Sequence, residues 1–317
     1  MRVKKQNFYF KSSNKVNRIH GVCWIPEGVK VKAVLQIAHG MLEFIDRYDD
    51  FARFLCTKGI AVVGNDHLGH GTSVFSEEDW GYMGDNGFEC LVDDMKKVQK
   101  HFKQRFPEVP YFILGHSMGS FAVRYFISKY RKGVDGAIIM GTGYHPTPLS
   151  VGGQLLTRIM ARVKGWRYRS ALVTKIAFSG YNKKIKPERT PADWITRDEE
   201  IVDIYMNEPR CQYMFTLNAY FEMFKGIQFI TDKENIARVR RNLPMLFISG
   251  DADPVGGYGK GVHKIYDMFE ETGHKNMDII LYDEARHEVL NEINRHDVYD
   301  DLYNWLNKEI SLKHWKC

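Results

Sequence analysis

The sequence predicts an α/β protein whose mostly parallel sheet is flanked by helices and interrupted once by a helical insertion. Short, continuously apolar runs recur along the chain, as in strands that are buried on both faces. Segments with apolar residues at helical spacing alternate with these runs, which is typical of parallel sheets. The alternation stops near residue 145 and resumes near residue 242. We therefore predict a core of residues 1–144 and 243–317 and an inserted helical cap of residues 145–242.

Six strands are expected before the insertion. Residues 7–13 and 18–26 fit a hairpin that ends at Pro26. Helices are expected between the later strands, one closed by Gly59 and a longer one that ends before Pro107. The four buried strands are expected in the runs KAVLQIAHG, IAVVGNDH, YFILGHS and GAIIMGT.

No convincing strand is expected within the insertion, where helix-start signals and apolar stripes occur instead. These signals are two capping-box pairs and one proline: Thr196 with Glu199, Thr231 with Glu234, and Pro191. After the insertion we expect the strand MLFISG, a helix near 259–271, the strand DIILYDEA and a final amphipathic helix.

The composition is that of an ordinary globular protein, with 44% hydrophobic and 26% charged residues. No run approaches the roughly 20 apolar residues that span a bilayer, and the first residues lack the apolar core of a signal peptide. The cysteines are odd in number and scattered, which favours free thiols, a reducing compartment and a cytoplasmic location. They are Cys23, Cys56, Cys90, Cys211 and Cys317.

The net charge of +6 is concentrated in one region of the chain. Residues 151–190 contain ten Lys or Arg and one acid, Glu188, so they carry +9 and leave −3 for the remainder. This run fits either a solvated face or a surface attracted to an anionic headgroup or membrane. It resembles no nucleic-acid-binding module, so we expect no nucleic-acid partner.

The segment GHSMG, residues 115–119, matches the pattern G-x-S-x-G between an apolar strand and a helix. On such a sharp turn, the glycines avoid collisions with the neighbouring strand and helix, and the serine hydroxyl is exposed. Ser117 is therefore the candidate nucleophile. The backbone N–H of Met118, at the positive helix N-terminus, is a candidate oxyanion donor. The alternative is a glycine-rich turn with an incidental serine.

A serine nucleophile requires a base and an acid, which in this fold follow later in the chain, the acid first. The run SGDADPV supplies Asp251 and Asp253 after one late strand, and EARHEVL supplies His287 after the next. We favour Asp253 because Asp251 directly follows the strand-end glycine, Gly250, and is expected to serve the turn. Of the other histidines, His116 is expected to face neither partner, and His20 and His274 are expected on the solvated surface.

A second oxyanion donor is expected after an early strand, where His39, Gly40 and Met41 occur. The donor would be the backbone N–H of Met41. A metal site formed by Asp66, His67 and His70 is disfavoured, because three ligands within five residues rarely form one and no other cluster completes it. We interpret that loop as a support for the oxyanion loop.

Five motifs occur in the order seen in the α/β-hydrolases that resemble monoglyceride lipases and lysophospholipases, a group also labelled serine aminopeptidase-like. They are AHGMLEFIDRYDDFARFL, DHLGHGTS, GHSMGS, SGDADPV and YDEARHEVLNE. The resemblance implies the α/β-hydrolase fold, with the cap inserted after the sixth strand. It also implies that Ser117 is the nucleophile, Asp253 the acid and His287 the base, with Met41 and Met118 in the oxyanion hole. It implies no metal and no organic cofactor.

The sequence departs from the family pattern in three places. Met41 stands where these lipases usually carry a small residue, and Gly256 and Gly257 follow the acid in place of a more apolar segment. The insertion resembles the family cap only in being helical, although ITRDEEIVDIYMNEP is similar to a segment of it. The cap determines substrate choice, so the resemblance implies the reaction class and not the substrate.

The sequence thus predicts a serine ester hydrolase that acts on a small-molecule ester or lipid. The alternative enzyme is an aminopeptidase or amidase, for which Glu199, Glu200 and Asp203 could hold a substrate ammonium. Acyl transfer or perhydrolysis would use the same triad. A binding protein on a hydrolase scaffold is disfavoured because such proteins typically lose a triad residue, and here each has a candidate.

Overall fold

The computed structural model describes residues 2–314, which contain one eight-stranded sheet. Its strands are β1 (Val3–Lys11), β2 (Arg18–Pro26), β3 (Ala33–Ala38), β4 (Ile60–Asn65), β5 (Tyr111–His116), β6 (Gly136–Met140), β7 (Met245–Gly250) and β8 (Met277–Tyr282). They lie in the order β1-β2-β4-β3-β5-β6-β7-β8. The first two strands form an antiparallel hairpin whose second strand pairs antiparallel with β4, and all later pairings are parallel. The predicted mostly parallel sheet is confirmed.

The helices of the core alternate with these strands. They are α1 (Asp49–Thr57), α2 (Gly87–Arg105), α3 (Met118–Tyr130), α9 (Lys260–Glu271) and α10 (Arg295–His314). Five helices lie between β6 and β7: α4 (Thr147–Lys164), α5 (Ala171–Ala177), α6 (Glu199–Asn207), α7 (Leu217–Thr231) and α8 (Lys233–Ala237). The helical insertion therefore follows the sixth strand, as predicted.

Apolar stripes on the helices bury the two faces of the sheet. Phe51 of α1 and Leu302 of α10 belong to the hydrophobic cluster on one face. Leu91 of α2, Phe126 of α3 and Phe269 of α9 belong to the cluster on the other. With both faces covered, the strands β3 to β7 are buried along their whole length, which is why the sequence shows continuous apolar runs there. Loops at the carboxyl ends of the strands are then the exposed positions that can carry a site.

The predicted helix starts within the insertion are wrong in detail. Asp198, not Thr196, caps α6, because its carboxylate accepts hydrogen bonds from two N–H groups of the first turn. Asp232 caps α8, where its carboxylate accepts the N–H of Asn235, while Thr231 is the last residue of α7. Pro191 lies in a turn that precedes a short 3-10 helix. An aspartate one or two residues along competes for the same N–H groups, and the threonine pattern does not reveal it.

Four of the five cysteines lie within the described residues, and Cys23, Cys56, Cys90 and Cys211 are free thiols there. Cys317 lies outside the described residues. None of the helices in residues 2–314 combines the length and the apolar character that crossing a bilayer requires.

Candidate active site

The turn between β5 and α3 holds Ser117 in an unusual backbone conformation, with φ 54° and ψ −121°. Positive φ is costly for a residue with a Cβ and occurs mainly where the surroundings enforce it. The surroundings leave room only for glycine two residues before and two residues after Ser117. A Cβ on Gly119 would collide with the carbonyl oxygen of Ala38, and one on Gly115 would collide with the carbonyl of Gly119. The glycines thus allow β3, β5 and α3 to meet at the serine.

Asp253 and His287 lie together at the ends of β7 and β8. Their side chains are buried, and Nδ1 of the imidazole donates to Oδ2 of the carboxylate at 2.9 Å. The hydroxyl of Ser249 donates to the same oxygen at 3.2 Å, and the N–H of Val255 donates to the other at 2.8 Å. Asp251 instead lies in the turn, where its N–H donates to a backbone carbonyl of β8. Of the two candidate acids, the structure brings Asp253 to the histidine.

The loop after β3 lies directly against the serine. A Cβ on Gly40 would stand 3.0 Å from the Cβ of Ser117. Met41 and Met118 line the same pocket as the serine, and Met118 is the first residue of α3. The Gly40 N–H donates to the carboxylate of Glu43, and this hydrogen bond fixes the conformation of the loop.

Glu43 is a buried member of the site that the sequence analysis did not single out. Its carboxylate accepts hydrogen bonds from His116 Nδ1 at 2.9 Å, the Tyr48 hydroxyl at 3.1 Å and Arg47 at 3.2 Å. Burial favours its neutral form, but the charges of His116 and Arg47 outweigh burial and hold the pKa of Glu43 below its ordinary value. Burial likewise opposes a charge on His116, and the carboxylate of Glu43 nevertheless raises the pKa of that imidazole.

The prediction that His116 faces neither partner is wrong. Its ring centroid lies 4.7 Å from that of His287, and its Nε2 lies 3.3 Å from the His287 carbonyl oxygen. His116 therefore connects the loop after β3, through Glu43, to the loop after β8 that carries the candidate base, His287.

Arg47 and Glu288 form a second buried pair that the sequence analysis missed. The guanidinium donates to both carboxylate oxygens at 2.7 Å. The two residues are 241 positions apart, so no local pattern could have revealed the pair. A search for charged residues directly beside motif residues would have found Glu288, which follows the candidate base.

The prediction of a surface position is also wrong for two other histidines. His20 is 5% exposed, and its Nδ1 lies 2.8 Å from Asp66 Oδ2. His274 is fully buried between the carbonyls of Val239 and Phe269. Both stand in polar sequence surroundings, and their burial follows from tertiary contacts.

The loop that carries His67 and His70 packs against the loop after β3 that carries His39, Gly40 and Met41. The N–H of His67 donates to His39 Nε2 at 2.9 Å, and its ring nitrogen lies 3.1 Å from the His39 carbonyl oxygen. Asp66 accepts the N–H of Ile45 at 2.9 Å. Burial lowers the pKa of His70 to about 3, so its ring is neutral at ordinary pH.

A cavity of about 450 Å³ opens beside Ser117 and His287. Its walls are mostly apolar, although Glu43, His145 and Glu288 also line it. The helices α3, α4 and α7 supply Phe121, Leu156, Met223, Phe224 and Ile227. A wider cavity of about 930 Å³ adjoins it. Residues shared by the two cavities are Leu42, Phe178, Tyr181, Trp194 and Tyr205. Both volumes fall in the range of small-molecule sites.

The acids considered for an aminopeptidase stand apart from this cavity. Among the described residues, the lining of the 450 Å³ cavity excludes Glu199, Glu200 and Asp203. Asp203 instead pairs with Arg189 at 2.5 Å on the surface.

Several known proteins are similar to this chain over most of its length. Rat monoglyceride lipase is 26% identical over 299 residues, which cover 93% of this chain and 88% of that protein. The monoacylglycerol lipase of Mycolicibacterium smegmatis is 24% identical and covers 89% of this chain and 90% of that protein. The structure of a thermostable carboxyl esterase from Bacillus coagulans in complex with glycerol superposes with a TM-score of 0.89 at 26% identity, covering 96% of this chain and 99% of that one.

The predicted α/β-hydrolase fold is confirmed by these structural neighbours. The predicted enzyme class, a carboxylic ester hydrolase, agrees with the relatives. The model of the family described as serine aminopeptidase, S33, matches residues 29–294. The chain therefore belongs to this family of α/β-hydrolases.

Proposed function

We propose that this protein is a serine hydrolase that cleaves the ester bond of monoacyl lipids, such as monoacylglycerols or lysophospholipids. Ser117 is the nucleophile, His287 the base and Asp253 the acid. The observation that carries the proposal is the 2.9 Å contact between His287 and Asp253 at an apolar cavity that the strained Ser117 also lines. The lipases and the esterase among the relatives support the choice of an ester.

Acylation begins when Ser117 Oγ attacks the ester carbonyl carbon and Nε2 of His287 takes its proton. The carbonyl π electrons move to oxygen, and the N–H groups of Met41 and Met118 hold the resulting oxyanion. The carboxylate of Asp253 keeps the proton on Nδ1 and stabilises the imidazolium. When the carbon–oxygen bond to the alcohol breaks, the imidazolium protonates the departing alkoxide, and an acyl-serine remains.

Deacylation repeats the sequence with water. His287 takes a proton from water as its oxygen attacks the acyl carbon, and the second oxyanion forms at the same two N–H groups. Collapse breaks the bond to Ser117 Oγ, which recovers its proton from the imidazolium. The products are a free fatty acid and the alcohol, and the protein returns to its starting state.

The two cavities suggest how a lipid divides between them. The apolar walls of the smaller cavity suit an acyl chain, since burial of each CH₂ contributes about 0.8 kcal/mol. The wider cavity is lined by Lys175, Lys183 and Lys186 as well as by aromatic residues, and suits the alcohol or its headgroup. A headgroup with negative charge fits this lysine-lined side.

We also propose that the insertion, residues 145–242, acts as a cap that determines the substrate and meets a lipid surface. Leu155, Ile159 and Val163 on α4 are at least half exposed, as are Leu172 and Ile176 on α5. Basic side chains interleave with them, which is the pattern of helices that lie on anionic membranes. Ile176 also lines the cavity, so the exposed apolar surface continues into the site.

Hydrolysis assays test the proposed function. Wild type, Ser117→Ala and the matched control Ser128→Ala, elsewhere on α3, are assayed on p-nitrophenyl esters from acetate to palmitate, monoacylglycerol, lysophospholipid and aminoacyl anilides. We expect turnover of medium or long acyl esters that is lost with Ser117→Ala and kept with Ser128→Ala. Anilide turnover that exceeds ester turnover would replace the lipase proposal with the aminopeptidase. Ester turnover that survives Ser117→Ala would refute the assignment of Ser117 as the nucleophile.

A further inference from the structure

A short segment of the insertion, residues 193–198, lies along the loop that carries His287. We call it the strap. Its backbone carbonyls accept hydrogen bonds from that loop: the N–H of His287 donates to Trp194 O at 3.4 Å, and the N–H of Glu288 donates to Ile195 O at 2.6 Å. The backbone of the candidate base and of the residue after it is therefore paired with the helical insertion.

One buried carboxylate and two partly buried arginines hold the strap in this place. Arg286 donates to the carbonyls of Asp193 at 2.6 Å and Thr196 at 3.0 Å. Glu292 is fully buried and accepts hydrogen bonds from the side chain of Arg197 at 2.9 Å, the N–H of Arg197 at 3.1 Å and the N–H of Arg286 at 2.8 Å. Since removal of one partner would leave a buried charge unpaired, these contacts hold the strap firmly against the loop.

The strap brings one large ring to the candidate base. The ring centroid of Trp194 lies 5.0 Å from that of His287, with the planes tilted by 41°. The same indole packs edge-on against Tyr181 at 4.8 Å, and both line the cavity. Trp194 and His287 thus line the same cavity, with their rings in contact.

We infer that Trp194 is a positioning residue that fixes the imidazole of His287 for proton transfer. One hydrogen bond from Nδ1 to Asp253 sets the tautomer but leaves the ring free to tilt about that bond. The indole, together with the His116 ring at 4.7 Å, restricts this freedom by occupying space into which the imidazole would tilt. A base must lie within hydrogen-bond reach of the proton it takes, and a shift of about 1 Å can cost about 100-fold in rate. The inference rests on the proposed function, because it assumes that His287 is the base.

The test uses a substrate too short to depend on the acyl cavity. Wild type, Trp194→Ala, Trp194→Phe and the control Trp166→Ala are assayed on p-nitrophenyl acetate and on a long-chain ester. Inactivation by a small fluorophosphate provides a second readout of serine reactivity. Trp166 is a matched control because it lies in the insertion and packs on Phe221.

Trp194→Ala is expected to lower kcat on acetate and the inactivation rate by about 10- to 100-fold. Trp194→Phe, which keeps an aromatic face, is expected to stay within about threefold of wild type, and Trp166→Ala should match wild type on both readouts. An unchanged kcat on acetate, with only a raised KM on the long-chain ester, would overturn the inference and leave Trp194 as a cavity wall. An equal loss in Trp194→Phe and Trp194→Ala would also contradict it.

Two controls keep the result interpretable. If Trp194→Ala does not unfold cooperatively on heating, Trp194→Leu replaces it, with the same expected loss and the same contradicting result. Ser117→Ala is assayed in parallel. If it retains acetate turnover, the proposed function has failed. If it is inactive while Trp194→Ala is fully active, only the inference about Trp194 has failed.

Discussion

Glu43 lies in the loop after β3 and links the backbone of that loop to the turn that carries the candidate nucleophile, Ser117. It accepts the Gly40 N–H on one side and the His116 imidazole on the other. A buried carboxylate is costly unless each oxygen is paired, and here cations and donors surround it. The charged form of Glu43 and the charged form of His116 therefore stabilise each other.

This dependence predicts a pH window for Glu43→Gln. The lowered pKa of Glu43 stabilises the fold above its ordinary value of 4.5, and that stability is lost as the pH falls through the folded pKa. The raised pKa of His116 stabilises the fold below its ordinary value of 6.5, and that stability is lost as the pH rises through the folded pKa. We expect a loss of about 3–5 kcal/mol between these values that shrinks on either side.

Urea unfolding of both proteins from acid to alkaline pH measures this difference. Glu89→Gln is the control, because Glu89 is half exposed and pairs with Lys129 at the surface. That change is expected to cost under about 1 kcal/mol and to show no such window. A Glu43→Gln loss that is constant with pH would contradict the pairing with a charged His116.

At the scale of elements, the close approach of α3 to β3 predicts opposite effects for two glycine substitutions. Gly119→Ala places a methyl group against the backbone oxygen of Ala38, which cannot move aside. We expect it to cost about 1–3 kcal/mol and to lower kcat, since it displaces the turn at Ser117. Gly152→Ala, in α4, meets nothing within 4 Å and should stabilise by about 0.5–1 kcal/mol. Thermal unfolding of both variants measures the change in stability. An equal change in the two variants would contradict the close packing of Gly119 against β3.

Elements governed by local pattern could be predicted from the sequence. The strand expected at 18–26 is β2, and the helix expected near 259–271 is α9. Strands buried on both faces leave continuous apolar runs that are hard to mistake. Helix starts at Thr196 and Thr231 were wrong because competing aspartates cap the helices one or two positions later.

The candidate site could be predicted from the sequence only where its chemistry requires particular residues close together in the chain. The glycines around Ser117 are a local requirement, so the sequence shows them. The pairs of Glu43 with His116 and of Arg47 with Glu288 join distant segments. The same holds for the strap, whose contacts with the His287 loop depend on how the insertion folds back. No periodicity or spacing encodes such long-range contacts.

On the scale of the whole molecule, the exposed apolar and basic side chains of α4 predict binding to anionic lipid. Arg158→Glu with Arg162→Glu should weaken binding to vesicles that contain phosphatidylglycerol, at about 1 kcal/mol per charge removed and more for reversal. Ile159→Ser with Val163→Ser should weaken binding to all vesicles, while Ile293→Ser, equally exposed on the core, should not. Because exposed charges are screened beyond about 10 Å at 0.1 M salt, added salt should mimic the charge reversal.

Vesicle sedimentation at several salt concentrations measures this binding. Salt-independent binding, or equal binding to vesicles with and without phosphatidylglycerol, would rule out the anionic surface as the partner of α4. Equal loss in the Ile293→Ser control would point to a general effect of exposed apolar groups.

The most direct test of the triad is the rate at which a small fluorophosphonate labels the protein, with the labelled peptide identified by mass spectrometry. Asp253→Asn and Asp251→Asn form a matched pair, since both aspartates lie in one turn and only Asp253 contacts His287. We expect the adduct on Ser117, a loss of about 10³- to 10⁴-fold in labelling rate with Asp253→Asn, and a rate near wild type with Asp251→Asn. An adduct on another residue, or a greater loss with Asp251→Asn, would contradict the triad of Ser117, His287 and Asp253.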